Sequence, residues 1–197
     1  MTFGAFTLLR HAMPQQVPDE DPSTWRLGPE GVAAARKLSG LLSENPYVVA
    51  SAEPKASATA LLVTGRDPAL DLRLVEARRP SRWNSEHRSD ARRYLSGEDV
   101  HGWEAQSDVL RRIGESLDDH QSRAGSRQLV VVGHGISASL WIAATLGSTR
   151  FAGGSRCDSR TRGRSTCLPC VRIESTPACD PHTPLTPSDG EVALRAT

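Results

Sequence analysis

Phe6-Thr7-Leu8-Leu9-Arg10-His11-Ala12 is a short apolar run that ends abruptly in an arginine and a histidine. Such a run, followed at once by polar side chains, predicts a buried strand that delivers its last residues to the edge of a sheet. In an open α/β sheet that edge is where ligands bind. An imidazole there, beside a permanently charged guanidinium, suits a nucleophile or base next to an anion clamp; a histidine that merely caps a loop is the better reading of the stretch when it is taken alone.

A second stretch shifts that balance. In Leu129-Val130-Val131-Val132-Gly133-His134-Gly135 the four apolar residues, three of them β-branched, predict a central strand, and Ile136 to Ala144 continue with helical spacing. His134 therefore falls on a strand-to-helix turn, where the flanking glycines let backbone approach a ligand closely. The N–H groups that open the helix form a ready anion site. Two histidines at strand ends, one beside Arg10 and one ahead of a helix N-terminus, point to a phosphate pocket.

These two segments resemble the paired motifs of the histidine phosphatase superfamily, also called phosphoglycerate mutase-like, whose first motif is usually Arg-His-Gly where this chain has Arg10-His11-Ala12. Leu27-Gly28-Pro29-Glu30-Gly31 is similar to the family's Leu-Thr-x-x-Gly, and Ser51 to Ala60 to its Ser-x-x-x-Arg-Ala-x-x-Thr-Ala, with Lys55 in place of the second arginine. Leu74-Val75-Glu76 resembles the Leu-x-Glu that carries the acid, without the glycine that usually follows. The similarity runs in order from residue 5 to residue 146.

The resemblance implies an α/β fold, a three-layer α/β/α sandwich around a mostly parallel sheet. It also implies metal-independent hydrolysis of a small phosphorylated substrate, without a cofactor, through a phosphohistidine on His11. Arg10, Lys55 and His134 would hold the nonbridging oxygens with help from Gly135, and Glu76 would be the acid, with Glu86 as its fallback. Lysine keeps the charge at position 55 but loses the planar fork that grips phosphate with two bonds. Two other readings stay open, phosphoglycerate mutase activity and a non-catalytic phosphate-binding module of the same fold.

At 197 residues the chain is long enough for one domain with a substantial core. Residues 1–147 read as that domain. Residues 148–197, rich in Gly, Ser, Arg, Pro and Cys, read as an atypical tail, disordered apart from one short strand near 170–173; a shifted reading frame is one source of such a tail. Its cysteines include Cys167-Leu168-Pro169-Cys170, whose spacing suits redox or zinc chemistry, but Cys157 and Cys179 stand alone and a metal is not expected. A net charge of +1 gives no electrostatic case for nucleic acid or a membrane surface. With no spanning apolar segment and no secretory pattern, a cytoplasmic location is expected, and the oligomeric state is open.

Between the motifs, Met13 to Trp25 reads as a loop bordering the site. A helical stripe follows through Val32, Ala35, Leu38, Leu41 and Leu42, then a strand at Tyr47 to Ala50 that delivers Ser51, and a helix from Lys55 to Val63. Asp71 to Glu76 reads as a third strand with Leu72 and Leu74 on one face. The arginine-dense segment from Arg78 to Tyr94, which includes Trp83, reads as a substrate-selecting cap or a solvated loop or surface helix. Val109, Leu110, Ile113 and Leu117 mark a long amphipathic helix, with Arg111 and Arg112 on its wet side.

Overall fold

The alternation of the two outer motifs decides the sheet. In β1 (Phe6–Arg10), Phe6 and Leu8 face one side and Leu9 the other; in β4 (Leu129–Gly133), Leu129 and Val131 oppose Val130 and Val132 in the same way. A computed structural model describes residues 6–80 and 86–145 and the backbone of 170–173. It pairs β1 and β4 in parallel, Phe6 with Leu129 through Arg10 with Gly133. β2 (Tyr47–Ser51) lies parallel on the far side of β4, and β3 (Ala69–Asp71) parallel beyond β2. β5 (Cys170–Ile173) runs antiparallel along the other edge of β1, so the order is β3-β2-β4-β1-β5.

Strands buried on both faces require helices on both. Leu9, Val48, Ala50, Val130 and Val132 pack with α1 (Pro29–Lys37) and α2 (Pro54–Thr64). Phe6, Leu8, Val49 and Val131 pack on the opposite side with α3 (His87–Leu95), α4 (Gln106–Ala124) and α5 (Gly135–Thr145). The result is the three-layer α/β/α sandwich with a mostly parallel sheet. Among the described residues no helix is long and apolar enough to cross a membrane.

Three local expectations are corrected. α1 stops at Lys37, and Leu41 is exposed, because the chain turns at Leu38 to Leu41 before β2. The third strand ends at Asp71, whose carboxylate accepts the Arg73 N–H and closes a 3-10 turn over Leu72–Leu74. That turn buries Leu74 and leaves Leu72 exposed, so the two do not share a face. Arg112 is buried, not wet: it falls on the stripe Val109, Arg112, Ile113, Ser116, Leu117 and His120 that α4 turns inward. Arg111 is exposed and pairs with Glu115 along the helix. Part of the arginine-dense segment folds as α3, with Tyr94 in the core. Trp83, the tail outside β5 and the side chains of its cysteines lie outside the described residues.

Gly31 shows how tightly the layers close. A Cβ added there would lie 2.1 Å from the Met13 carbonyl oxygen, so α1 can approach the loop after β1 only without a side chain.

Asp71 anchors the end of β3. Its carboxylate receives the Arg73 guanidinium, the Ser116 hydroxyl at 2.8 Å and His120 Nε2 at 3.0 Å, and the His120 ring meets the Tyr47 hydroxyl at 3.1 Å. Burial opposes the charge, but these donors outweigh it and hold the carboxyl well below its usual range. The stabilisation of a depressed carboxyl is complete above its unfolded pKa and is lost as pH falls through the folded value. Asp71→Asn is therefore expected to cost about 2 kcal/mol or more at neutral pH. It should also flatten the fall of stability below about pH 4. Denaturant unfolding of both proteins across that range checks this; parallel pH profiles would contradict it.

Candidate active site

Three central strands end together. β1 delivers Arg10 and His11, β2 delivers Ser51, and β4 delivers Gly133 and His134. The ladder continues one bond past β1, since the His11 N–H donates to the Gly133 carbonyl at 2.9 Å. The next residue is pinned as well: the Ala12 N–H donates to Thr59 Oγ1 at 3.0 Å, and that hydroxyl donates to the Lys55 carbonyl at 2.7 Å. The threonine of the Ser51–Ala60 segment thus ties α2 to the chain just after His11.

The two imidazoles meet. Their ring centroids are 5.1 Å apart with planes inclined by 60°, and both rings are buried. His11 Nδ1 lies 2.8 Å from the Ala12 carbonyl, an acceptor only, so Nδ1 carries the hydrogen and Nε2 keeps its lone pair. Burial pushes the His11 pKa down to about 4, against the Ala12 carbonyl, and the charges of Lys55 and Arg10 act in the same direction as burial. His134 is pushed well below the ordinary histidine value, first by burial and then by His11 and Lys55. Its Nε2 is 2.8 Å from Ser51 Oγ and 3.4 Å from Glu53 Oε1. Its Nδ1 is buried with no hydrogen-bond partner among the described residues.

Glu53 escaped the sequence reading. It flanks Pro54 at the start of α2, where a carboxylate reads as a solvated helix end, yet it is buried and touches three functional groups. One oxygen pairs with Lys55 Nζ; the other accepts the Glu76 N–H at 2.9 Å and faces His134. Lys55 also donates to the Pro22 carbonyl at 2.8 Å. The ammonium thus lies within electrostatic reach of both rings, but already paired.

Arg10 is exposed, and its guanidinium lies over Gly135: a Cβ at 135 would come within 3.1 Å of Arg10 Nε. Gly135 therefore makes room for the arginine. The helix N-terminus behind His134, expected to be an open anion site, is occupied. Glu76 accepts from Ile136 N at 3.1 Å through Oε2 and from Ser137 N at 2.8 Å through Oε1, which also receives Ala77 N at 3.1 Å. A carboxylate suits the positive end of α5, and the loop after the 3-10 turn brings this one to it. Glu76 acts electrostatically on His11, whereas Glu86 is exposed at the start of α3.

Further out, Arg79 donates to the Ala77 carbonyl at 3.2 Å, and its guanidinium carbon is 5.7 Å from the centre of the Trp103 ring. Trp103 stacks on His87 at 6.0 Å and leans on Tyr94 at 4.9 Å. Among the described residues no cluster of three or more His, Cys, Asp or Glu side chains is placed to hold a metal ion.

No family model and no curated protein matches the sequence. Solved structures do match the fold. The mycobacterial glucosyl-3-phosphoglycerate phosphatase is 22% identical, with a TM-score of 0.59 over 74% of this chain and 80% of its own. The same phosphatase complexed with VO3 gives 23% identity and a TM-score of 0.58 over 73% of this chain and 82% of that one. YhfR of Bacillus stearothermophilus is 18% identical, with a TM-score of 0.64 over 87% of this chain and 92% of its own. At these identities the likeness speaks for architecture, and the architecture is phosphoglycerate mutase-like.

Proposed function

We propose that the chain is a histidine phosphatase, hydrolysing a small phosphomonoester through a phosphohistidine on His11. The observation that carries this reading is the meeting of the His11 and His134 rings over the ends of adjacent parallel strands, with Lys55 and Arg10 near enough to act electrostatically on His11. The sequence resemblance supports it, as does a fold shared with a phosphatase that has been solved with VO3.

His11 Nε2 attacks phosphorus while the leaving oxygen departs and takes a proton from Glu76. Glu76 then accepts a proton from water as the water oxygen attacks the phosphohistidine, which releases inorganic phosphate and restores the neutral ring. Arg10, Lys55 and His134 offset the charge on the nonbridging oxygens. His134 has a ring nitrogen free for this, and Lys55 must share itself with Glu53. That pairing is also the observation favouring a non-catalytic phosphate-binding module, because a cation already neutralised grips phosphate less firmly.

An aryl phosphate assay separates the two readings. The hydrolase reading expects turnover that falls by about a thousandfold or more in His11→Ala, together with acid-labile phosphate trapped on the wild-type protein during turnover. Phosphate-dependent thermal stabilisation without turnover would instead establish the module.

The nucleophile must be neutral, and the buried ring is neutral above about pH 4. Imidazole nitrogen NMR of the free protein should therefore show His11 as the Nδ1–H tautomer with a midpoint near 4, well under the ordinary 6.5. A midpoint at the ordinary value would mean that water reaches the ring and that the pocket does not set its charge.

A further inference from the structure

Arg112 is an arginine with every donor spent on one loop and one carboxylate. Nε donates to Glu104 Oε1 at 2.9 Å, and Nη2 to Glu104 Oε2 at 3.0 Å and the Glu76 carbonyl at 3.2 Å. Nη1 donates to the carbonyls of Arg73 at 2.6 Å and Val75 at 2.8 Å. A guanidinium has no further N–H to give. Glu104 completes the clamp downstream, since its Oε2 accepts the Arg78 N–H at 3.0 Å and its own N–H donates to the Arg78 carbonyl at 2.8 Å. The segment from Arg73 to Arg78 is therefore gripped on both sides of Glu76 by one buried ion pair.

That segment needs such a grip. After Leu74 it belongs to no helix or strand, so no backbone ladder fixes it against the sheet. Besides the clamp, the Glu53 contact to the Glu76 N–H, the α5 N-terminus and the burial of Leu74 and Ala77 hold the residue, and none of these fixes the Glu76 carbonyl. Proton transfer tolerates little misplacement: an error of about 1 Å costs on the order of a hundredfold in rate.

We infer that Arg112, locked to Glu104, is the positioning residue for proton transfer by Glu76, an assignment that rests on the reading of Glu76 as the acid. Lysine cannot replace it. One nitrogen with three donors on a flexible stem does not span a carboxylate and three carbonyls, so R112K keeps the charge and loses the grip.

The test uses the basicity of the leaving group. An alkyl phosphate releases a strongly basic alkoxide that needs the proton, whereas p-nitrophenolate leaves without one. With the full chain, R112K should lower kcat/KM on an alkyl phosphate by about tenfold or more, because that ratio ends at departure of the leaving group and leaves out the later water attack, in which Glu76 serves both esters alike. On p-nitrophenyl phosphate the variant should stay within about threefold of wild type. R111K, one residue away on the exposed face, should change neither. E104Q, which weakens the same clamp from the other side, should repeat the selective loss and carries the test if R112K does not fold. Equal losses of kcat/KM on both esters would overturn the positioning role and reduce the pair to a structural one. A wild-type chain inert toward both would overturn the hydrolase reading itself, and this assignment with it.

Discussion

The bond from the His11 N–H to the Gly133 carbonyl, 2.9 Å long, is the constraint on which the site depends. It is the last rung of a parallel ladder between β1 and β4, and it fixes which residue of one strand end lies beside which residue of the other. A shift of one residue would send Phe6 and Leu8 to the wrong layer and turn His11 away from His134, so core packing and site geometry enforce the same register. Burial from the helices on both faces then lowers the proton affinity of both rings.

Around this pair the chain distributes its buried charges so that, among the described residues, each has a partner of opposite sign. Lys55 has Glu53, Arg112 has Glu104, and Asp71 has Arg73 with Ser116 and His120. Removing one partner of such a pair leaves an uncompensated charge in a poor solvent, so each pair is more demanding than its net contribution to stability implies. Two of the three pairs border Glu76: one accepts its N–H, and the other holds its carbonyl. The loop that carries Glu76 is thus held by charge at Glu76 itself and by the buried Leu74 and Ala77 on either side of it.

Much of this was legible in the residue order. The apolar runs ending at Arg10 and at Gly133 announced buried parallel strands, and the short polar segments after them announced a ligand-bearing edge, because those signals are local. What was not legible depends on partners distant in the chain. Glu53 beside Pro54 reads as a solvated helix start until β4 brings His134 to it. Arg112 was put on the wet face of α4 by its charge, although its spacing from Val109 and Ser116 is that of the buried stripe; periodicity carried the right signal and residue type overrode it. The strand expected through Glu76 stops at Asp71 because its carboxylate accepts the Arg73 N–H, a side-chain competition that hydrophobic alternation does not register.

Because Glu53 already holds Lys55, the cation beside the two rings carries its own counter-ion. On the hydrolase reading, an arriving oxyanion would enter by exchange, displacing a resident carboxylate from the ammonium, and would gain only the difference between two similar charge-assisted bonds. An arrangement of that kind favours release over retention. On the hydrolase reading, spent phosphate would find its place reclaimed by the glutamate, and the site would be cleared for the next ester by a group that never leaves the protein.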